Sequence, residues 1–84
     1  MPNTTPLVSI VMPAFNAEKT IVRAIDSVLK QTYSNIELLI INDGSTDNTS
    51  EIVSKYRDSR VTLINQGNKG LSGARNTGLE NIKG

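Results

Sequence analysis

The chain has no cysteine and no histidine among its 84 residues. The absence of cysteine excludes disulfides and thiolate metal sites. The absence of histidine removes the commonest general base and the commonest metal ligand, which leaves carboxylates for any such chemistry.

Long apolar runs and an excess of one charge are missing as well. No apolar stretch approaches the roughly 20 residues that span a bilayer, and residues 1–6 lack the basic start and apolar core of a signal peptide. Nine basic and eight acidic residues give a net charge of +1, which favours neither nucleic acid nor an anionic membrane as a partner. We therefore expect a cytoplasmic protein that does not bind nucleic acid, with residues 1–6 as a disordered lead-in.

The most informative stretch is the apolar run from Ile36 to Ile41, which ends in Asn42 and Asp43. Residues 38–41 include no polar side chain, so both faces of this segment must be covered, as in a central strand of a parallel sheet. Ligands of open α/β sheets bind at the carboxyl ends of the strands, where Asn42 and Asp43 fall.

The rest of the chain predicts two more strands and three helices, in the order β-α-β-α-β-α. With right-handed crossovers this is half of a doubly wound sheet. The third strand alternates more than the others, which indicates an edge position. The predicted elements are strand 7–12 closed by Pro13, a helix from Asn16 to about 31, strand 36–43, helix 46–57, strand 60–65, and a helix after the loop 66–70.

Local signals fix the expected helix ends. Asn16 is predicted to cap the first helix, with Glu18 in its first turn, where the helix dipole favours an anion. Gly44 is expected to turn the chain out of the sheet, and Ser45 or Thr46 to cap the second helix.

The third helix contains a glycine, Gly78, which costs roughly 1 kcal/mol relative to alanine and so indicates close packing on a neighbour. Arg75 is expected to face away from the core. The residues predicted to face inward are Leu71, Ala74, Gly78, Leu79 and Ile82.

Three glycines, Gly67, Gly70 and Gly73, resemble a nucleotide-binding loop at first sight. The dinucleotide fingerprint must follow the first strand, however, and residues 13–16 contain no glycine. The chain also lacks the Gly-Lys-Ser/Thr end of a P-loop. Any ligand here is therefore held by something other than a glycine cradle after the first strand.

Polar and aromatic residues follow each predicted strand at one edge of the sheet. A carboxylate beside an apolar ring can accept an N–H from a base edge such as that of uracil, and an arginine can neutralise a phosphate. The candidates delivered to this edge are Pro13, Phe15, Asn16, Asn42, Asp43, Asn68, Lys69, Gly70 and Arg75.

Each of these residues also has a purely structural interpretation. Asp43 could anchor the turn and the start of the next helix, and Asp47 is interpreted as a cap residue. Glu18 alone is typical of a carboxylate near a helix N-terminus, Arg75 alone of a solvated helix residue, and Phe15 alone of a core residue. The case for a site depends on their convergence at one edge.

Four segments of the chain, in order and at matching spacing, resemble the family-2 glycosyltransferases. The resemblance covers nearly the whole chain after residue 6. The segments are residues 8–18 (VSIVMPAFNAE), 27–33 (SVLKQTY), 37–47 (ELLIINDGSTD) and 68–78 (NKGLSGARNTG).

The resemblance implies a GT-A fold whose N-terminal half is Rossmann-like, with three parallel strands in the order 3-2-1. It implies that residues 13–15 line the nucleoside pocket, that Asp43 pairs with the base, typically uracil, and that Arg75 lies toward the diphosphate. Phe15 stands where the family often has tyrosine, so the ring is kept and the hydroxyl is lost. The expected nucleotide-sugar contacts are Pro13, Ala14, Phe15, Glu18, Asn42, Asp43, Gly70 and Arg75.

The sequence departs from the family pattern by ending early. The family's Asp-x-Asp motif, which holds Mg or Mn on the donor diphosphate, follows one further strand after the third helix, and this sequence ends at Gly84. The catalytic carboxylate lies later still. We therefore interpret residues 7–84 as a partial GT-A domain without metal ligands or a catalytic residue, inactive in isolation.

The resemblance implies a glycosyltransferase that moves a sugar from a nucleoside diphosphate sugar, typically UDP-linked, to an acceptor sugar or lipid-linked glycan. The alternative is a non-catalytic α/β module for nucleotide binding or assembly. Attachment of the full-length protein to the cytoplasmic face of a membrane stays open. Without a further strand, strand 7–12 would be an apolar edge, which predicts self-association through it.

Overall fold

A computed structural model describes residues 6–31 and 33–83. The predicted β-α-β-α-β-α order is confirmed. The elements are β1 (Val8–Ala14), α1 (Ile21–Leu29), β2 (Ile36–Asp43), α2 (Thr49–Ser54), β3 (Val61–Gln66) and α3 (Gly70–Asn81).

The three strands form one parallel sheet with β2 in the centre and the order β1-β2-β3, as predicted for the 3-2-1 arrangement. Residues 38–43 of β2 are buried throughout, which confirms the expected covering of both faces. The register places Ala14 beside Asn42, and Asp43 beside Gln66. The carboxyl ends of all three strands therefore meet at one edge.

The two faces of the sheet carry different helices. Leu38 and Ile40 point to the side of α1 and α2, where they pack in one cluster with Ile25 and Val53. The alternating residues of β2, Leu39 and Ile41, point to the other side and pack with Ala74 of α3. Alternation along a strand thus divides the core into two layers.

Gly78 confirms the predicted close packing of the third helix. A Cβ atom at this position would lie 2.3 Å from Cγ1 of Val11 in β1, a separation that real contacts do not reach. The missing side chain is what allows α3 to approach the sheet, and it explains why the cost of a helical glycine is tolerated.

The first strand is longer than predicted. It continues through Pro13 to Ala14, and Pro13 lies opposite Ile41 in the register. Proline is compatible with a strand at a sheet edge, where its nitrogen can face away from the neighbouring strand. The expectation that Pro13 closes the strand was therefore wrong.

The first residues of α1 and α2 were both predicted too early in the sequence. α1 begins at Ile21 after Thr20, so Asn16 is not its cap and Glu18 lies ahead of its first turn. Asn16 instead adopts a left-handed conformation with φ 49°, which asparagine tolerates better than most residues. Its Oδ1 accepts the backbone N–H of Thr46 at 2.8 Å.

α2 is shorter than predicted, and neither Ser45 nor Thr46 caps it. The loop before it bends at Gly44, which has φ +73°, as predicted. The N-cap position of α2 is held by Asn48, which makes no side-chain cap hydrogen bond. Asp47, expected to be a cap residue, lies one residue earlier, and its Oδ1 accepts the N–H of Thr49 at 3.0 Å.

The inward face of α3 is narrower than predicted. Ala74 and Gly78 are buried, and Ile82 packs against their layer. Leu71 and Leu79 are 57% and 62% exposed, so their assignment to the core was wrong. Helical spacing indicated the correct side, but the sheet beneath α3 is too narrow to cover the margins of that side.

The predicted lead-in, residues 1–6, lies outside the described residues except for Pro6, whose carbonyl oxygen accepts a hydrogen bond from the Tyr33 hydroxyl. Within the described part of the chain, none of the helices has the length and apolar character needed to cross a membrane.

Candidate functional site

A cleft opens at the edge where the carboxyl ends of the strands meet, on the α3 side of the sheet. Its volume is about 250 Å³. That is below the roughly 300–1,000 Å³ of pockets that hold a whole drug-sized ligand, so it suits one ring system rather than an entire nucleotide sugar. The lining residues are Pro13, Ala14, Phe15, Asp43, Asn68, Gly70, Leu71 and Ala74.

One wall of the cleft is apolar and is supplied by β1 and the start of α3. Phe15 follows β1 directly and is 52% exposed, so its ring is not part of the core. Leu71 is also exposed, whereas Ala14 and Ala74 are buried behind them. An exposed aromatic ring beside aliphatic side chains provides a surface on which a flat heterocycle can stack.

The floor of the cleft is polar and is formed by Asp43 at the end of β2. This side chain is 5% exposed, and a buried carboxylate is tolerated only with partners. Its Oδ1 accepts the Gln66 Nε2–H at 3.0 Å and the Lys69 backbone N–H at 2.7 Å. Its Oδ2 accepts the backbone N–H of Gly70 at 2.9 Å.

These contacts keep Asp43 ionised. The hydrogen bond from Gln66 and those from the backbone N–H groups of Lys69 and Gly70 lower the pKa of Asp43, against the opposing effect of burial. Asp43 thus anchors the loop between β3 and α3, which is the structural role considered from the sequence. It also faces the cleft, so the anchoring and ligand-reading interpretations apply to the same side chain.

The loop that carries Asn68 closes tightly over the turn after β2. A Cβ atom on Gly44 would lie 2.8 Å from the backbone nitrogen of Asn68. The Oδ1 of Asn68 accepts the N–H of Gly70 at 3.1 Å. Gly44 therefore serves two needs, a left-handed backbone conformation and the close approach of a second loop.

A second carboxylate after β2, Asp47, organises the other side of this edge. Its Oδ2 accepts the backbone N–H of Glu18 at 3.2 Å, and its Oδ1 accepts the Thr49 hydroxyl at 2.5 Å. Burial raises the pKa of Asp47, but the hydrogen bonds from Thr49 and Glu18 outweigh it and the pKa is lowered. Asp47 therefore has a structural role, because it joins the loop after β1 to the start of α2.

The structure brings together five of the eight residues predicted as nucleotide-sugar contacts. These share the lining of the cleft: Pro13, Ala14, Phe15, Asp43 and Gly70.

The other three predicted contacts lie elsewhere. Glu18 is half-buried in the loop held by Asp47. Arg75 is exposed one turn along α3, beyond the lining residues. Asn42 is buried on the opposite face, where its Nδ2 donates to Oδ1 of Asn65 at 2.9 Å. Their proposed roles stay predictions.

The sequence interpretation missed two residues behind the cleft. Gln66 contacts Asp43 through its amide nitrogen, and its Oε1 accepts the Thr77 hydroxyl at 2.5 Å. Gln66 ends a strand at the same edge as Asp43, so the strand register could have identified it. Thr77 gives no comparable signal, because its contact depends on how α3 packs.

The described residues do not fit a metal site. Within residues 6–31 and 33–83, no group of three or more His, Cys, Asp or Glu side chains lies close enough to hold a metal ion. The carboxylates at this edge, Asp43 and Asp47, are each occupied by N–H or O–H donors. In these contacts the carboxylates accept hydrogen bonds, and they do not act as metal ligands.

Comparison with known proteins places this arrangement in a family. The sequence profile of Glycosyl transferase family 2 matches residues 9–84, so the chain belongs to that family. The crystal structure of residues 1–349 of TarS from S. aureus is similar, with a TM-score of 0.84 and 31% identity over 94% of this chain and 25% of that chain. The predicted family and fold class are confirmed.

Two curated relatives show the same extent of similarity. One is an uncharacterized glycosyltransferase, EpsJ, of Bacillus subtilis, 49% identical over 94% of this chain and 24% of the relative. The other is WfgD of Escherichia coli, a UDP-Glc:α-D-GlcNAc-diphosphoundecaprenol β-1,3-glucosyltransferase, 54% identical over 93% of this chain and 31% of the relative. The chain therefore spans about a quarter to a third of their length.

Proposed function

We propose that this chain is the donor-nucleotide-binding unit of a glycosyltransferase, which moves a sugar from a UDP-sugar to an acceptor hydroxyl. The acceptor is a sugar or a lipid-linked glycan, and the product is a polysaccharide or glycoconjugate. The observation that carries the proposal is the juxtaposition of the Phe15 ring and the Asp43 carboxylate in one small cleft. The similarity to WfgD, a glucosyltransferase with UDP-Glc as donor, supports the choice of uridine.

The apolar wall and the polar floor of the cleft bind different parts of a nucleoside. The exposed ring of Phe15 stacks on the flat base, and Asp43, held ionised, accepts an N–H from the base edge. Arg75 lies on the helix that begins at the cleft, and its guanidinium is the cation available to the diphosphate on that helix. A divalent ion on the diphosphate stays a prediction for the complete enzyme.

Calorimetry of the 84-residue chain with UDP tests this assignment. We expect weak binding, unchanged by Mn²⁺, because the described residues hold no metal-ligand cluster. Phe15→Ala should weaken binding at least about fivefold, since stacking of a base on an aromatic ring contributes about 1–3 kcal/mol. Leu79→Ala is the matched control, because Leu79 is exposed at 62% and does not line the cleft.

Two outcomes would contradict the proposal. The absence of any heat or chemical-shift change with UDP would remove the nucleotide assignment. Strong binding that requires Mn²⁺ would show that the chain holds metal ligands after all, and would overturn the prediction that they lie outside it.

Self-association through strand 7–12 is a further proposal. It is supported by the position of β1 at the edge of the described sheet and by the 44% exposure of Val8. An edge strand presents unpaired backbone groups that can pair with a second copy. Sedimentation velocity over a concentration series tests it, and a monomer at every concentration would count against it. A cytoplasmic location, with or without attachment to the inner side of a membrane, likewise stays a proposal.

A further inference from the structure

A chain of hydrogen bonds runs from the middle of α3 to the floor of the cleft. Thr77 Oγ1 donates to Gln66 Oε1 at 2.5 Å, and Gln66 Nε2 donates to Asp43 Oδ1 at 3.0 Å. Thr77 Oγ1 also lies 3.0 Å from the carbonyl oxygen of Gly73. A hydroxyl has one proton, and the shorter contact identifies Gln66 as its main acceptor.

The direction of this chain is fixed by chemistry. The Asp43 carboxylate can only accept, so the Gln66 amide must turn its nitrogen toward Asp43 and its oxygen toward Thr77. The hydroxyl of Thr77 then has a defined role, because it is the donor that the amide oxygen needs. Removing that hydroxyl would free the amide to turn away.

The remaining hydrogen bonds determine what Asp43 can offer to a ligand. An ionised carboxylate has about four acceptor positions. Gln66 and Lys69 occupy both positions on Oδ1, and Gly70 occupies one on Oδ2. One position on Oδ2 is therefore left for the cleft.

We propose that Gln66 and Thr77 are positioning residues that hold Oδ1 of Asp43 against the protein, so that the carboxylate presents one acceptor position and selects a base edge with a single N–H. This inference rests on the proposed nucleotide-binding function. The imide edge of uracil or thymine offers one N–H between two carbonyl groups. Guanine offers two adjacent N–H donors, which require both carboxylate oxygens, and Oδ1 is already occupied.

The first experiment measures selectivity by titrating the 84-residue chain with UDP, GDP and N3-methyl-UDP. We expect UDP to bind at least about 10-fold more tightly than either analogue, as is typical of one hydrogen bond to a charged group. In Gln66→Met and Thr77→Val the UDP-over-GDP ratio should fall by about 10-fold, because Oδ1 becomes available. Thr77→Ser, which keeps the hydroxyl, should restore the ratio.

Thr62→Val is the matched control, since it removes a threonine hydroxyl from an exposed position of β3. It should leave the ratio unchanged. Amide spectra of each variant establish that it is folded, and Gln66→Met keeps the comparison available should Thr77→Val fail to fold. A ratio that stays the same in folded Gln66→Met and Thr77→Val would overturn the positioning role.

The second experiment needs no nucleotide and separates this inference from the proposed function. The pKa of the Asp43 carboxyl is followed by carbon NMR in the free chain. The Gln66 hydrogen bond lowers this pKa, so Gln66→Met and Thr77→Val should raise it, and Thr77→Ser should not. An unchanged pKa overturns the positioning role, whereas a raised pKa in a chain that binds no UDP overturns the proposed function and the base selection with it.

Discussion

The face of the sheet that carries α1 and α2 is filled by large aliphatic side chains, whereas the face that carries α3 is covered mainly by small residues. On the first face Leu38 and Ile40 pack against Ile25 and Val53. On the second, α3 contributes Ala74 and Gly78 as its buried residues. The cleft lies on the second face, so the site is found where a single helix leaves the end of the sheet uncovered.

The two faces thus meet two different requirements of a small domain, a buried core and an accessible binding site. The two-helix face holds the larger cluster of buried apolar side chains, and the one-helix face supplies a rim that is open to a ligand. Each face also has its own carboxylate at or just after the end of β2. Asp47 joins two loops on the first side, and Asp43 anchors the loop at the cleft on the second.

The largest expected effect tests the aliphatic face directly. Ile40→Ala should lower the free energy of unfolding by about 4 kcal/mol and Ile41→Ala by about 2 kcal/mol, near the two ends of the range for such truncations. Both side chains are fully buried, so the difference comes from how far each face can collapse into the space. Urea denaturation measures both, and equal losses would remove the distinction between the faces.

A smaller effect tests the close approach of α3. Gly78→Ala should destabilise the fold by about 1–3 kcal/mol, as overpacking does, because the new Cβ would meet Val11 at 2.3 Å. UDP binding should weaken with it, since α3 forms one wall of the cleft. Gly67→Ala is the matched control, because nothing lies within 4 Å of its Cβ position, and an equal loss there would contradict the packing argument.

Next in size is the hydrogen bond between α1 and the segment that follows α2. The Tyr56 hydroxyl donates to Asp26 Oδ1 at 3.0 Å, and burial together with this hydrogen bond raises the pKa of Tyr56 to about 12. Tyr56→Phe should cost about 1 kcal/mol. Because the folded pKa is raised, the stabilisation is complete below about pH 10 and is lost as the pH rises through about 12.

Chemical denaturation of wild type and Tyr56→Phe at pH 8 and pH 11.5 measures the contribution of this hydrogen bond. The difference between the two proteins should shrink at the higher pH. Asp26→Asn keeps an acceptor oxygen and should cost less than Tyr56→Phe. A difference that grows with pH would contradict the assignment.

The sequence predicted the features of the fold and the cleft that depend on local patterns and on parallel topology. The unbroken apolar run within 36–41 indicated a strand covered on both sides, and the position of Asp43 at the carboxyl end of that strand placed it at the ligand edge; both depend on the local sequence pattern. The meeting of Phe15 with Asp43 followed from parallel topology. The family resemblance was carried by motifs that cover most of the chain and is confirmed by the profile match.

The errors arose where a side chain acts across the fold. Asn16 was predicted to cap its own helix, but its side-chain Oδ1 accepts the backbone N–H of Thr46, 30 residues away. Leu71 and Leu79 followed helical spacing, yet the width of the sheet decides what α3 can bury. Thr77 escaped notice because its hydrogen bond to Gln66 depends on how α3 packs on the sheet, which no local pattern encodes, whereas Gln66 could have been identified from the strand register.

The smallest expected effect concerns a carboxylate at the opposite end of the sheet from the cleft. The Asp58 carboxylate accepts hydrogen bonds from Nη2 of Arg60 at 2.8 Å and from the Arg60 backbone N–H at 2.9 Å. These hydrogen bonds lower the pKa of Asp58 to about 2. Asp58→Asn should cost under about 1 kcal/mol, since both side chains are partly exposed. Because the folded pKa is depressed, this stabilisation is present above about pH 4 and is lost as the pH falls through about 2.

Denaturation of wild type and Asp58→Asn at pH 6 and pH 2.5 measures this loss, and the two proteins should converge at the lower pH. UDP affinity should be the same in both, because Asp58 lies in the turn before β3 and the cleft lies after the strands end. A change in UDP affinity would show that the two ends of the sheet are coupled. The separation between the closed part of the fold and its open rim would then fail, since a charge far from the cleft would be acting on the position of Asp43.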